Sequence, residues 1–542
     1  MKSGQLAELS KRSLRFFSSL TEKKEKTYYS DWRKKWVELN EDERQKIKQQ
    51  VVSFPHHPSF SLLLDAKAQT ATSIFQTIES VAGQIYPNWF LWIGNFDLLD
   101  EKAQQKILHL QDNRIKQNNP LHSELDDWII ELTAGTKLTE NALFVVANSV
   151  VNEPQTKLIY SDHDHLLPSG EFCDPHMKPD WNPDLFDAMN YLEPLVACKK
   201  ELWETQTNND RHDLYKSLLE TIDANQILHI PNVLVSVPVS GDGNHLEPNC
   251  RRITQTLPKP EPLVSVLIPT RDKGQMLKKC LESLFRKTVY PSFEVVLVDH
   301  ETTERKAKKV IEEFSKKENF KVTQFSGSFN FSAMMNQGAS MAEGDIFILL
   351  NNDIEIIESE WLNELVSQVA RHEVGIVGAL LLFKDGTIQH AGVHPGEGGM
   401  MGHGHKHLPG DSSGYFSRLK AVHEVAAVTG ACMAVQKTTW RDLGGLDEKN
   451  LAVAYNDIDL CFKAREKGLR VILTPYAKMI HHESVSRGTD DDPVKNLRLQ
   501  KELETILERW GEYVFLDPAY SQNLSFDGGS FELAVNPSYE KF

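Results

Sequence analysis

No apolar run in the chain is long enough to span a bilayer, and the N-terminus lacks the apolar stretch and small-residue cleavage site of a secretory signal. A cytoplasmic protein is the expectation. Cysteine is sparse: six in 542 residues, at 173, 198, 250, 280, 432 and 461, with no C-x-x-C pair. Such scatter argues against a disulfide scaffold and fits buried free thiols in a reducing compartment. Net positive charge is also missing, since 60 Lys and Arg against 76 Asp and Glu leave a formal charge of −16. A field of that sign repels polyanions, so general nucleic-acid binding is not expected, although a local basic patch remains compatible with it.

The remaining composition, 40% hydrophobic and 25% charged, is that of an ordinary globular protein, and the length calls for two or three domains. Residues 1–65 are rich in Lys, Glu, Gln and Leu and read as a helical N-terminal segment. Within it Leu6, Leu9, Phe16, Phe17 and Leu20, with Lys11, Arg12 and Arg15 between them, form a basic amphipathic stripe over residues 6–20. Such a stripe more often packs on its own protein; the alternative is a peripheral contact with the anionic inner face of the plasma membrane.

The proline-rich connector Leu257–Pro262 marks a boundary, with one domain expected over 66–258 and another over 259–490. Beyond it apolar strands alternate with helical patterns: a strand from Val264, a helix over Leu277–Arg286, a strand over Phe293–Val298 and a helix over Arg305–Lys316. This rhythm predicts an α/β fold with a doubly wound, mostly parallel sheet. The run Ile346–Leu350 fits a strand buried on both faces that delivers Asn351, Asn352 and Asp353 to the sheet edge where ligands bind. The triplet suits either a turn or a carboxylate site for a divalent cation. Residues 491–542 read as a closing helix and an extended tail.

The two halves echo one another. Glu79-Ser80 and Tyr86-Pro87-Asn88-Trp89 parallel Glu282-Ser283 and Tyr290-Pro291-Ser292-Phe293, and Asp127–Leu132 parallels Asp345–Leu350. A tandem copy of one fold is expected. Where the second copy has Asp299 and Asn351-Asn352-Asp353, the first has Asn95 and Thr133-Ala134-Gly135, and an alanine and a glycine offer no metal ligand.

The ordered motifs Val264–Asp272, Val298-Asp299, Asn330–Asn336, Asn351–Asp353, Val428–Ala431, Asn456–Leu460 and Ile480–Ser484 resemble those of a family 2 glycosyltransferase of the GT-A fold, of the kind found in bacterial O-antigen and capsule assembly. The weaker similarity of residues 70–240, including Tyr160–Asp164 and Lys178–Pro183, resembles the first domain of two-domain members. The resemblance implies a metal-dependent, inverting transfer of a hexosyl or deoxyhexosyl group from a nucleotide-diphosphate sugar to a glycan or lipid-linked glycan acceptor. Its cofactor would be Mn²⁺ or Mg²⁺. Asp353 stands at the metal-binding carboxylate, and His481 or His482 at the late histidine that completes the metal shell, His481 preferred. Asp457 matches the general base. Thr270, Asp272, Asp299, Asn330 and Asn352 match nucleotide or phosphate contacts, each with a second reading as a turn residue. Gly430 and Ala431 would allow close approach of the donor sugar. Asp459 reads as a cap or an acceptor contact, or as purely structural.

Asn351, Asn352 and Asn456 stand where relatives often carry acids, which gives weight to a non-catalytic, glycan-binding scaffold. A sugar nucleotidyltransferase is a further rival, but Thr270-Arg-Asp-Lys-Gly is a poor version of its loop. The glycine- and histidine-rich stretch His394–His407 reads as a loop that orders over donor and acceptor rather than a metal site. Arg487 could add charge near the phosphates. In the first copy, Asp162-His-Asp164 and Asn209–Leu214 imitate the catalytic motifs out of place, so that copy is expected to be non-catalytic.

Overall fold

The computed structural model describes residues 29–67, 69–117, 120–203, 211–239, 248–395, 401–482, 493–526, 531–537 and 541. Two units result: one of residues 250–520 with 525–532, the other of residues 24–249 with 521–524 and 533–542. The stripe at 6–20, Asn209 and Arg487 lie outside the described residues. Among the described residues no helix is long and apolar enough to cross a membrane.

The N-terminal unit contains β1 (Phe60–Asp65), β2 (Trp89–Gly94), β3 (Ile115–Gln117), β4 (Trp128–Leu132), β5 (Lys137–Leu138), β6 (Leu158–Leu166), β7 (Phe172–His176), β8 (Val196–Lys199) and β9 (Ile227–Pro238). The C-terminal unit contains β10 (Val264–Thr270), β11 (Phe293–His300), β12 (Phe320–Phe325), β13 (Ile346–Leu350), β14 (Ile354–Ile356), β15 (Val374–Leu382), β16 (Ile388–His390), β17 (Val393–Pro395), β18 (Met401–His403), β19 (His423–Glu424), β20 (Cys432–Gln436) and β21 (Arg470–His481).

The first sheet runs β3-β2-β1-β4-β8-β6-β9-β5 with β7 beside β6; the second runs β12-β11-β10-β13-β20-β15-β21-β14 with β16 beside β15. The two orders correspond strand for strand. Orientation corresponds as well, because the first four strands of each are parallel, and β8 and β20 are antiparallel to both neighbours. The chain is a tandem repeat of one α/β fold, with parallel-rich rather than uniformly parallel sheets. A shared hydrogen bond marks the repeat: Tyr86 Oη donates to Pro58 O and Tyr290 Oη to Pro262 O, each at 2.7 Å, both two residues before the first strand of the unit. β1 therefore begins at Phe60, inside the segment 1–65 read as helical. Phe-Ser-Leu-Leu-Leu is too short for periodicity to separate strand from helix, and its pairing with β2 and β4 decides it.

In the C-terminal unit β13 lies between β10 and β20, and all five of its side chains are buried. Phe347 and Leu349 enter the core on one face, Ile346, Ile348 and Leu350 that on the other, so burial on both faces requires the unbroken apolar run. Helix Gly274–Lys287 buries Leu277, Cys280, Leu281 and Leu284, the i, i+3, i+4, i+7 stripe of an amphipathic helix. It begins at Gly274, where a Cβ would stand 2.4 Å from Ala307 N, so only glycine permits this close approach of the next helix. Helix Pro493–Phe515 closes the unit through Ile506, Trp510 and Val514.

Candidate active site

The C-terminal ends of β10, β11 and β13 form one rim. Thr270 and Asp299 are register partners at the ends of β10 and β11, and Asn352 Nδ2 donates to Thr270 Oγ1 at 2.9 Å. Asn351 N donates to Ala431 O at 3.0 Å, and Gly430 N donates to Asp457 Oδ2 at 2.9 Å. This chain of bonds ties the triplet after β13 to the loop before β20 and to the first turn of helix Asn456–Glu466. Asp457, half-buried, also accepts Ile458 N on Oδ1 at 2.9 Å.

Asp353 is 4% exposed and pairs with the end of β21 through its carbonyl, which accepts His482 N at 3.0 Å. Its Oδ1 stands 3.1 Å from His481 Nε2. The distance satisfies an ion pair, yet the direction is not that of a hydrogen bond, and Oδ1 is buried without a hydrogen-bond partner. The other ring nitrogen of His481, Nδ1, lies 2.7 Å from Gln389 Oε1. Successive residues of a strand face opposite ways. His482 accordingly turns elsewhere, to Glu355 Oε2 at 3.0 Å, where Lys279 Nζ also binds the same oxygen at 2.7 Å. Burial works against the charge of Glu355, but these two partners prevail and hold its carboxyl below the usual range.

Several expected contacts are committed to the fold. Asp272 Oδ1 accepts Thr303 N and Glu304 N, each at 2.7 Å, and these backbone bonds hold its carboxyl below the usual range. Asn330 caps helix Phe331–Met341 by accepting Ala333 N and donates to Glu448 O, both at 2.8 Å. Asp299 accepts Thr302 N and Gln324 Nε2, each at 3.2 Å. Asp459 is fully buried: Oδ1 accepts Trp510 Nε1 at 2.8 Å and Arg509 Nη1 at 3.3 Å, while Oδ2 pairs with Lys463 at 2.7 Å. It fastens its helix to the closing helix, so of the readings left open the structural one describes its surroundings.

The expectation of a covering loop over His394–His407 is corrected in part. His394 and His405 are each 1% exposed and pack on Phe531, with ring centroids 5.3 Å and 4.3 Å away. Residues 396–400 lie outside the described residues. No group of three or more His, Cys, Asp or Glu suited to a metal gathers among the described residues.

Sequence reasoning also missed a cleft of about 830 Å³ that opens beside His481 and His482. Lys273, Lys279, Lys306 and Lys384 line it, and Phe383 and His407 stack 5.2 Å apart on one wall. Its lining acids are Glu304 and Asp385, and Lys279 is paired with Glu355, so the excess of lysine over acid leaves the cleft electropositive in an acidic protein. The four lysines come from three separate segments, so no sequence cluster announces them.

Residues 265–423 match the model of Glycosyl transferase family 2. The C-terminal unit carries a family 2 glycosyltransferase domain. The chain is 33% identical over 536 residues to the uncharacterized protein y4gI of Sinorhizobium fredii, covering 88% of this chain and 59% of the relative. To the O-antigen biosynthesis protein RfbC of Myxococcus xanthus it is 30% identical over 514 residues, 84% of this chain and 40% of that protein. The chain thus spans about half the length of these curated relatives. A mannosyltransferase of Pyrobaculum calidifontis, solved with GDP-Man and Mn²⁺, is similar at 17% identity and a TM-score of 0.34, over 46% of this chain and 64% of that one.

The first copy differs from the glycosyltransferase domain where Asp353 and His481 stand. After β4, a Cβ on Gly135 would stand 2.9 Å from Pro238 Cγ, so the place of the Asp353–His481 pair is closed by a glycine against a proline. Arg211 Nη1 donates to Thr133 Oγ1 at 2.9 Å, and the guanidinium pairs with Glu131 at 3.4 Å and Glu193 at 3.2 Å. Asp164 accepts Tyr29 Oη at 2.6 Å and Arg33 Nε at 2.9 Å, while Asp162 accepts Lys178 N, His229 Nε2 and Asn523 Nδ2 at 2.8–3.0 Å. Both aspartates are buried network residues.

Proposed function

We propose that the C-terminal unit is a divalent-metal-dependent, inverting glycosyltransferase that moves a sugar from a nucleotide-diphosphate donor to a hydroxyl of a glycan or lipid-linked glycan in bacterial surface-polysaccharide assembly, at the cytoplasmic face of the membrane. The observation that carries this reading is the convergence of Asp353 Oδ1 and His481 Nε2, 3.1 Å apart, on the same rim as Asp457. Adjacent ligands of an octahedral cation held at about 2.1 Å stand roughly 3.0 Å from each other, so the pair suits Mg²⁺ or Mn²⁺. A buried carboxylate oxygen without a hydrogen-bond partner supports the same assignment. One carboxylate and one imidazole are a sparse set, which fits a cation completed by substrate phosphates and water. When bound, the metal supplies positive charge against the charge building on the departing diphosphate.

The protein's own groups do the rest. Asp457 takes the proton of the acceptor hydroxyl as that oxygen bonds to the anomeric carbon, and the anomeric carbon–phosphate oxygen bond breaks with its electron pair leaving on the nucleoside diphosphate. A single displacement inverts the anomeric centre and needs no enzyme nucleophile. Gly430, held by Asp457, keeps the loop beside the donor free of side chain. The basic cleft lined by His481 supplies positive potential that suits the donor's phosphates.

Incubation with a panel of nucleotide sugars, Mn²⁺ and lipid-linked acceptors tests the reading by nucleoside-diphosphate release. Release that needs Mn²⁺ and vanishes in Asp353→Ala is expected. Undiminished release in that variant, or pyrophosphate from a sugar 1-phosphate and a nucleoside triphosphate, overturns it.

A further inference from the structure

The structure assigns to Gln389 the role of positioning residue for His481: its side-chain carbonyl fixes the imidazole tautomer that leaves Nε2 free to bind the divalent cation. This rests on the metal reading given above and adds a residue that no motif contains. Gln389 is 3% exposed and its Oε1 lies 2.7 Å from His481 Nδ1. A carbonyl oxygen only accepts, so Nδ1 carries the proton, and Nε2 is the ring nitrogen left to offer a lone pair to the cation. Nε2 stands 3.1 Å from Asp353 Oδ1 with no hydrogen bond between them. Two acceptors this close in a buried site repel, and a cation bound by both converts the repulsion into attraction.

The backbone is built to deliver this contact. β16 and β21 flank the end of β15: Leu381 is opposite His390 and Met479, and Leu382 opposite Ile388 and Ile480. The jump from His390 to Ile388 leaves Gln389 as the extra residue of a β-bulge. Bulges re-aim a side chain that regular pleating would send elsewhere, and are frequent beside active sites. The neighbouring His390 is fully buried and accepts Thr429 N on Nε2 at 3.4 Å, so the same three-residue strand also braces the loop carrying Gly430. Metal-bound histidines generally give their second ring N–H to an acceptor, and loss of that acceptor typically weakens metal binding about 10–100-fold.

Mn²⁺ alone, titrated into the full chain and followed by the electron paramagnetic resonance of the free ion, tests the assignment. In Gln389→Ala the dissociation constant should rise about 10-fold or more, and Gln389→Glu, which still accepts from Nδ1–H, should recover most of the loss. Histidine-selective ¹⁵N labelling, with His481→Asn to identify the signal, should show His481 in the Nδ1–H form in the parent and a mixture in Gln389→Ala. Near-parental Mn²⁺ affinity in Gln389→Ala while Asp353→Asn loses the ion overturns the role of Gln389 alone. An Nε2–H tautomer in the parent does the same. Mn²⁺ binding indifferent to Asp353→Asn instead overturns the metal reading beneath it.

Discussion

Asp353 and His481 meet because β14 and β21 pair antiparallel with Ile354 opposite His481, which sets the aspartate before β14 against the last residue of β21. His482, one residue on, is bound to Glu355 instead, whose carboxylate Lys279 also binds. The tandem histidine is thereby divided between two tasks.

Asp457→Asn should lower kcat by about 10²–10⁴-fold, the range for loss of a general base, with little change in the donor's KM. An asparagine can still accept Gly430 N through its carbonyl, so the loop stays in place. Steady-state kinetics with a competent donor and acceptor check this, and a kcat within threefold of the parent would exclude the role.

Asp459→Ala should act through stability rather than chemistry. Removal of its carboxylate leaves Trp510, Arg509 and Lys463 without the acceptor that joins two helices, and breaking a buried pair costs on the order of 3 kcal/mol. Thermal unfolding should shift down by several degrees, while KM values measured well below the transition remain parental.

The N-terminal unit should lose stability in alkaline solution through His229. Burial alone would lower the pKa of that ring, but the carboxylates of Asp162 and Asp180 outweigh it and push it up to about 9. A folded value raised above the unfolded one of about 6.5 means that the contribution is fully present below pH ~6.5 and lost as pH rises through ~9. Chemical denaturation between pH 6 and 10 should show the parent falling toward His229→Gln across that window. Parallel curves would contradict it.

Lys384→Ala, and more so Lys384→Ala with Lys306→Ala, should raise the donor's KM several-fold at low salt while leaving kcat near parental. Both lysines line the electropositive cleft beside His481. Added salt screens such a field, so the difference from the parent should shrink between 20 and 300 mM NaCl, on the order of the ionic strengths that bracket the physiological Debye length. A salt-independent effect would point to a packing defect.

The strands and the repeat were legible in the residues. Ile346–Leu350 is unbroken because β13 is buried on both faces, and Tyr86-Pro87 with Tyr290-Pro291 marks the same turn in both copies. β1 was not legible, since six residues carry too little periodicity and its identity depends on partners up to 70 residues away.

The residues alone set the order of chemical groups: an aspartate after a buried strand, an acid in the first turn of a helix, two histidines at the end of a long strand. Which of those groups are available was settled by long-range pairing and packing. Register turned His481 rather than His482 toward Asp353, a bulge brought Gln389 behind it, and packing of the closing helix consumed Asp459. The physical reason is range: side-chain type and strand period are local properties of the chain, whereas pairing register and burial are set by segments about 90 residues distant, as Gln389 is from His481.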